Sequence, residues 1–314
     1  MADLKLRTVT RTAGNNQALK DGLVTPRSFA FDFEEVPVLP RAFRRMVREL
    51  AYDICEMAFT TYLCARAAGK KFTAVPIFPV RAFHHGAILH NTTARLVGPK
   101  DLEGRRVGVN RGYTVTTGVW ARGILQDEYG VDLSRVTWVL SGDEHVEEFV
   151  PPSNVVPVGE GGDVAQMLAS ADLPAAIGIE VDHPDVEPLI PDPAEAGLEA
   201  LRGRGLYPIN HLIVVRDEVL AAHPGLAVDV FDTFTEAKRR YLDDLRNGSI
   251  ADPTPADAAY RQVMEIIGDP LPYGIEPNRD MIDQLVDHAR RQGIIDRPVA
   301  AKDLFHSSTH GLTG

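Results

Sequence analysis

The stretch Val75-Pro76-Ile77-Phe78-Pro79-Val80-Arg81-Ala82-Phe83-His84-His85-Gly86 is the part of the sequence that decides the fold. Its apolar residues predict a short buried strand. Its two prolines lack a backbone donor and predict that the strand stops abruptly. Because open α/β sheets bind ligands at strand ends, we expect Arg81 to grip a carboxylate there and His84 and His85 to move protons. The alternative is ordinary surface charge after a strand.

Segments with strand and helix periodicity alternate on the N-terminal side of this stretch. This alternation predicts a parallel sheet covered by helices. The predicted strands span residues 4–10, 28–36, 53–59 and 72–80, and the predicted helices span residues 15–22, 40–50 and 60–68.

A second α/β pattern follows the polar connector 99–106, beginning with a strand at 107–110 and a helix at 114–129. The proline-rich and acidic segment 181–203 has no clear period and is predicted to be a loop. A strong strand at 206–216 then leads into helices at 226–246, 255–267 and 279–292.

These patterns predict two lobes joined by crossovers near His90 and near His211, with a hinged cleft between them. Residues 1–97 would form the first part of lobe one and residues 98–207 lobe two. Residues 208–314 would return to lobe one with a strand and the C-terminal helices.

Composition restricts the partners. The chain has 314 residues and a net charge of −11, which argues against nucleic acid and anionic membranes as partners. No apolar run approaches the roughly 20 residues of a membrane span, and Met1–Arg7 does not have the pattern of a secretory signal.

Cys55 and Cys64 lie in apolar surroundings and are predicted to be buried free thiols. Together these features predict a cytoplasmic protein and leave a homo-oligomer open.

Further polar residues lie within the predicted strands or directly after them. Glu56 lies within a strand, where a carboxylate is either a buried acid–base group or an outward-facing residue. His211 lies within the return strand and is either a packed core residue or a cleft residue. The turn 110–114 leads into a helix whose free backbone donors suit carboxylates, although a simple N-cap would explain it too.

The sequence predicts no cofactor, but one metal-site alternative stays open. His84, His85 and His90 could act as ligands together with Glu56, although no two of these histidines have helical i, i+4 spacing.

Several segments resemble the 4,5-dihydroxyphthalate decarboxylase family, in the same order over nearly the whole chain. They are residues 53–57, 77–85, 101–109, 119–125, 207–211 and 272–279. The resemblance implies a two-lobe type II periplasmic-binding-protein-like α/β fold, with each lobe a mixed sheet covered by helices. It also implies a cytosolic enzyme that converts a dihydroxylated phthalate to protocatechuate and carbon dioxide. The family pattern has an arginine where His84 stands, and it differs at residues 14–17 and 110–113.

We therefore expect a non-oxidative decarboxylase of a hydroxylated aromatic acid. The alternative is a solute-binding protein for a small carboxylate. His211 or His85 would protonate the ring carbon, and Glu56 or His84 would handle a ring hydroxyl. The expected substrate-binding residues are Arg81, Thr60, Thr61, Asn110, Arg111, Tyr113, Thr114, Thr117 and Arg122.

Overall fold

The computed structural model describes residues 4–314 as two α/β lobes, each built on its own sheet. Residues 1–3, part of the N-terminal stretch and of the predicted first lobe, lie outside that range. Along the described chain the strands are β1 Lys5–Val9, β2 Ala30–Phe33, β3 Ile54–Ala58, β4 Phe72–Arg81, β5 Ile88–Asn91, β6 Arg106–Val109, β7 Thr137–Leu140, β8 Val155–Pro157, β9 Ala175–Ile177, β10 Val186–Pro188 and β11 Ile209–Arg216.

The helices cover both sheets. They are α1 Gly14–Lys20, α2 Leu39–Glu49, α3 Phe59–Ala67, α4 Thr116–Tyr129, α5 Val164–Ala169, α6 Pro193–Arg204, α7 Asp217–Ala222, α8 Leu226–Asn247, α9 Pro255–Ile267, α10 Arg279–Arg291 and α11 Ala301–Leu304. None of the helices within residues 4–314 is long and apolar enough to cross a membrane.

The first sheet has the strand order β2-β1-β3-β11-β4, and the second has the order β10-β5-β9-β6-β7-β8. Both are mixed. In the first sheet β11 runs antiparallel to β3 and β4, and in the second β5 runs antiparallel to β9 and β10. The mixed sheets agree with the fold implied by the resemblance and not with the parallel sheet predicted from alternation alone, because periodicity does not report strand direction.

Strand β4 ends at Arg81, one residue beyond the predicted strand 72–80, and it contains both prolines, so the abrupt stop expected at the prolines does not occur. It is an edge strand of the first sheet, and its register against β11 shifts between Val75 and Val80. A proline is tolerated there because an edge or bulge position does not need its missing donor. The shift sets His211 opposite Val80 on one side, while Ala58 of β3 lies on the other.

The first crossover lies earlier than predicted. Residues 88–91 form β5, which pairs with β9 and β10 in the second sheet, so the boundary falls within residues 82–87 and not at 97. The chain returns to the first sheet at Ile209. The prediction of a loop over residues 181–203 was wrong, because this segment contains β10 and α6.

The C-terminal helices pack mainly on the first lobe. Helix α8 covers α1 and β4, while α10 contacts both α3 and α4 and so connects the two lobes. One buried hydrogen bond also joins the lobes, since the Trp120 indole of α4 donates to the carbonyl oxygen of Ile209 at 2.9 Å. Both cysteines are free and buried, which confirms that prediction.

Candidate active site

A carboxylate–imidazole pair lies at the end of the first sheet. Glu56 of β3 and His211 of β11 project from the same face of neighbouring strands, and Glu56 Oε1 lies 2.6 Å from His211 Nδ1. The other carboxylate oxygen, Oε2, accepts the backbone N–H of Arg11 at 2.8 Å. A carboxylate can only accept hydrogen bonds, so we assign the hydrogen of His211 to Nδ1, which leaves Nε2 for another partner.

Glu56 is buried, as one of its two predicted alternatives required. Its side chain is 1% exposed, whereas the His211 side chain is 14% exposed. The carboxylate is therefore enclosed in the sheet while the imidazole reaches the space between the lobes. Ordering of an imidazole by a buried carboxylate is an arrangement suited to general acid–base catalysis.

The space beside His211 is a cavity of about 360 Å³ between the lobes, within the size range of small-molecule sites. Its first-lobe wall includes Arg11, Phe43, Ala58, His84, Asn210 and His211. Its second-lobe wall includes Arg111, Val115, Thr116, Thr117 and His145. Both lobes thus contribute charged or titratable groups to one cavity.

Two more imidazoles in this cavity are neutral at pH 7. Burial lowers the pKa of His84 to about 4, although its hydrogen bond to Asn210 acts in the opposite direction. Burial, together with the nearby cations Arg44, Arg111 and Arg48, lowers the pKa of His145 to about 4. Neutral imidazoles retain one ring nitrogen that can accept a hydrogen bond.

The cavity has one arginine from each lobe. Arg11 follows β1 and Arg111 follows β6, and within residues 4–314 neither guanidinium forms an ion pair. Partial burial and the charge of Arg11 lower the pKa of Arg111. Two unpaired like charges that converge on one cavity favour an anionic ligand carrying more than one charge.

Two helix N-termini also point to the cavity from opposite lobes. Ala58, the N-cap residue of α3, lines it from lobe one, while Val115 and the first residues of α4 line it from lobe two. The Thr60 and Thr116 hydroxyls lie 2.8 Å apart and join these two helix starts. Positive ends of helix dipoles add to the attraction for carboxylates.

Five of the residues predicted from sequence are brought together here. Glu56, His84 and His211 form the titratable group, while Arg111 and Thr117 line the facing lobe.

Arg81 and His85 lie outside the cavity, and their predicted roles do not fit these positions. Arg81 is buried, donates to Asn278 Oδ1 at 2.7 Å and to the Tyr207 carbonyl at 2.5 Å, and stacks on the Tyr207 ring. His85 is buried against Glu128, 3.1 Å from both carboxylate oxygens. Strand alternation explains the position of Arg81, because Val80 and Ala82 on either side of it line the cavity. His85 lies beyond the strand, at the start of a short 3-10 helix, and points to Glu128.

The remaining predicted substrate-binding residues support the cavity walls without lining them. Thr60 and Thr61 lie in the first turn of α3 and do not cap it. Asn110 donates to the Gly178 carbonyl at 2.6 Å. Buried Arg122 donates to the Tyr113 carbonyl at 2.6 Å, and the Thr114 hydroxyl donates to Glu144 at 2.6 Å. These bonds hold the 111–115 turn in place.

Sequence reasoning missed Arg11, Phe43, His145 and Asn210. Asn210 could have been predicted as a site residue from its position next to His211 in the sequence. The other three come from separate helices and loops that only tertiary structure brings together.

The histidines of the alternative metal site have separate partners. His84 binds Asn210, His85 binds Glu128, and His90 lies 3.4 Å from Glu187. Across residues 4–314 no three His, Cys, Asp or Glu residues are grouped so that they could hold a metal ion.

Known structures identify the fold. The chain is similar to the alkanesulfonate-binding protein SsuA of Xanthomonas axonopodis pv. citri, with a TM-score of 0.53 and 14% identity over 98% of this chain and 99% of that one. It is also similar to the desulfurization enzyme DSZB, with a TM-score of 0.56 and 13% identity over 96% of both chains. The protein therefore has the two-lobe periplasmic-binding-protein-like fold.

Two curated relatives identify the family, although no family model matches the chain. The 4,5-dihydroxyphthalate decarboxylase of Comamonas testosteroni is 31% identical over 284 residues, which cover 85% of this chain and 86% of the relative. The enzyme of the same name from Pseudomonas putida is 36% identical over 174 residues, 51% of this chain and 67% of the relative. The chain belongs to the 4,5-dihydroxyphthalate decarboxylase family.

Acid should weaken the fold through its buried neutral histidines. His84, His145 and His288 have folded pKa values lowered to about 4, so the unfolded chain, with ordinary pKa values near 6.5, binds protons first as pH falls. The free energy of unfolding should decrease between pH 6.5 and 4.5 by up to about 1.4 kcal/mol per pH unit for each histidine. Urea unfolding across this range measures the slope. A constant free energy of unfolding would contradict the prediction, and His84→Asn should reduce the slope.

Arg81→Met should destabilise the fold and leave ligand affinity unchanged. The substitution leaves the Asn278 side-chain oxygen and the Tyr207 carbonyl without their buried donor. The expected cost is about 2–5 kcal/mol, measured by urea unfolding. A weakened Kd for an aromatic dicarboxylate with unchanged stability would instead restore Arg81 to the binding site.

Proposed function

We propose that this protein is a non-oxidative decarboxylase that converts 4,5-dihydroxyphthalate, or a closely related dihydroxylated aromatic acid, to protocatechuate or its analogue and carbon dioxide. The observation that carries the proposal is the buried Glu56–His211 pair, whose imidazole opens onto a cavity lined by Arg11 and Arg111. Membership of the family supports the same reaction.

The chemistry requires protonation of the carbon that bears the departing carboxylate. Direct loss of carbon dioxide would leave an unstabilised aryl anion in the plane of the ring. Ionisation of the hydroxyl para to that carbon pushes electron density onto it, so the carbon can accept a proton first. The carbon–carbon bond then breaks, its electron pair restores the aromatic ring, and carbon dioxide leaves.

His211 is the proton donor in this proposal. Glu56 fixes the ring orientation and directs Nε2 toward the cavity, because Nδ1 is engaged at 2.6 Å. His85 is not assigned this role, because it does not line the cavity and its Nε2 is engaged by Glu128 at 3.1 Å.

His84 is proposed to accept the proton of the para hydroxyl. Its Nε2 lies 3.1 Å from the Asn210 side-chain oxygen, which can only accept, so the hydrogen belongs on Nε2 and Nδ1 is the accepting atom. Glu56, the other candidate, is enclosed behind His211 and would act through it.

Arg11, Arg111 and the α4 N-terminus are proposed to bind the two carboxylates from opposite lobes. The net charge of −11 would repel a dianion, so a local group of cations is needed to hold it. These groups take the carboxylate-binding role that the sequence led us to expect of Arg81.

We further propose that side chains alone carry the reaction, without a metal, and that the protein acts in the cytoplasm. Dispersal of His84, His85 and His90 onto separate partners supports the first point. The buried free thiols of Cys55 and Cys64 suit a reducing compartment.

Removing His211 should abolish most turnover without removing the fold. His211→Asn retains an amide donor for Glu56, and His211→Ala removes it. Both variants should lower kcat for 4,5-dihydroxyphthalate by roughly 10²–10⁴-fold. Carbon dioxide release and product identity are measured in the presence and absence of a chelator, with His223→Ala, outside the cavity, as the control.

Turnover like that of the wild type in both His211 variants would contradict the assignment of the acid. Tight binding of the phthalate by the wild-type protein without any carbon dioxide would favour the solute-binding alternative. A loss of activity with the chelator that added metal restores would contradict the metal-free mechanism.

Arg111→Met should weaken binding of 4,5-dihydroxyphthalate by about 1.5–3 kcal/mol, because it removes a charged donor from the ligand. Titration calorimetry gives the Kd. Arg106→Met is the matched control, since Arg106 begins the same strand, β6, and lies at the end opposite the cavity. An equal loss of affinity in both variants would point to the overall charge and not to a specific contact.

A further inference from the structure

His145 is a cavity residue that the proposed reaction does not use. It lies on the loop between β7 and β8, its side chain is almost fully buried, and it lines the cavity from the second lobe, whereas His84 lines it from the first. The Phe43 ring packs edge-on against both His145 and His211, with ring centroids 6.1 and 5.2 Å apart. His145 and His211 therefore lie on neighbouring walls of one cavity.

Contacts from both lobes hold this histidine in place. Arg48 of α2, in lobe one, donates to the His145 carbonyl at 3.3 Å and to the Glu144 carbonyl at 2.9 Å. The Glu144 carboxylate in turn accepts the backbone N–H groups of Tyr113 and Thr114 in lobe two. The position of His145 thus depends on the lobes being together.

One ring nitrogen of His145 is left for a ligand. Nδ1 lies 3.4 Å from the Thr61 hydroxyl, and Nε2 has no hydrogen-bond partner within the described residues. The lowered pKa keeps the ring neutral at pH 7, so it does not add a third positive charge beside Arg11 and Arg111.

We propose that His145 determines specificity by binding the second of two adjacent ring hydroxyls, while His84 binds the first. This inference rests on the proposed function, from which it takes a ring carrying two neighbouring hydroxyls. A catechol held between imidazoles of opposite lobes favours the closed cleft, because only closure brings both to the ligand. Rings with a single hydroxyl leave one buried imidazole unpaired and bind more weakly.

Equilibrium binding of a non-reacting ligand tests this assignment separately from catalysis. Protocatechuate is compared with 3-hydroxybenzoate and 4-hydroxybenzoate, which each lack one of its hydroxyls. The three ligands are titrated into the wild type, His145→Phe, His145→Gln and the control His223→Phe. The wild type should bind protocatechuate roughly 10- to 100-fold more tightly than one of the monohydroxybenzoates.

His145→Phe should remove that preference. The ligand hydroxyl that His145 binds in the wild type then has no partner, so a ligand without this hydroxyl should bind the variant as tightly as protocatechuate does. His145→Gln, whose side-chain amide nearly overlays Nε2, should restore part of the preference. The Gln variant tests the same hydrogen bond without enlarging the cavity. The proposal can therefore still be tested if the Phe variant does not fold.

An equal loss of affinity for all three ligands in both His145 variants would show a merely structural role and overturn the proposal. Failure of the wild type to bind protocatechuate, or to distinguish it from either monohydroxybenzoate, would overturn it as well. If the protein prefers protocatechuate as predicted but releases no carbon dioxide, the result supports His145 as a binding residue. It then counts against the proposed decarboxylase activity and not against the role of His145.

Discussion

The site depends on a carboxylate that is buried within a β-sheet. Glu56 can occupy this position only because both of its oxygens are engaged, one by His211 Nδ1 at 2.6 Å and the other by the backbone of Arg11 at 2.8 Å. These two bonds require β11 to lie beside β3 and the loop after β1 to cross the strand end. They also fix the orientation of the imidazole, so the contacts that make burial of Glu56 tolerable also direct His211 toward the cavity.

The two lobes contribute different parts of the site. Lobe one supplies the paired imidazole on rigid strand ends, whereas lobe two supplies Arg111, the start of α4 and His145 from turns and a loop. Hydrogen bonds from Arg48 and Thr60 cross between the lobes next to these groups. An acidic protein thereby holds two cations at the mouth of one cleft, where a small dianion would neutralise their repulsion.

Much of the element order could be predicted from sequence, because long apolar segments with clear periodicity report their own structure. The strand at Phe72–Arg81 and the long helix Leu226–Asn247 are examples. Helix α6 was missed because prolines and acidic residues hide its short apolar face, and the first lobe boundary was misplaced because β5 is too short to reveal its sheet. At the site, Glu56 and His211 were found because a carboxylate or an imidazole inside a strand stands out against its neighbours.

The sequence by itself determined that this is an α/β protein of two lobes, acidic overall, with titratable groups at its strand ends. These properties follow from periodicity and composition, which depend on neighbours along the chain. Only the tertiary structure decided that His84 faces the cavity while Arg81 and His85 face away, and that Arg11, Phe43 and His145 join it. The reason is that the end of β4 and the short 3-10 helix after it set the direction of each of these side chains, and distant segments meet only when the sheets and lobes have packed.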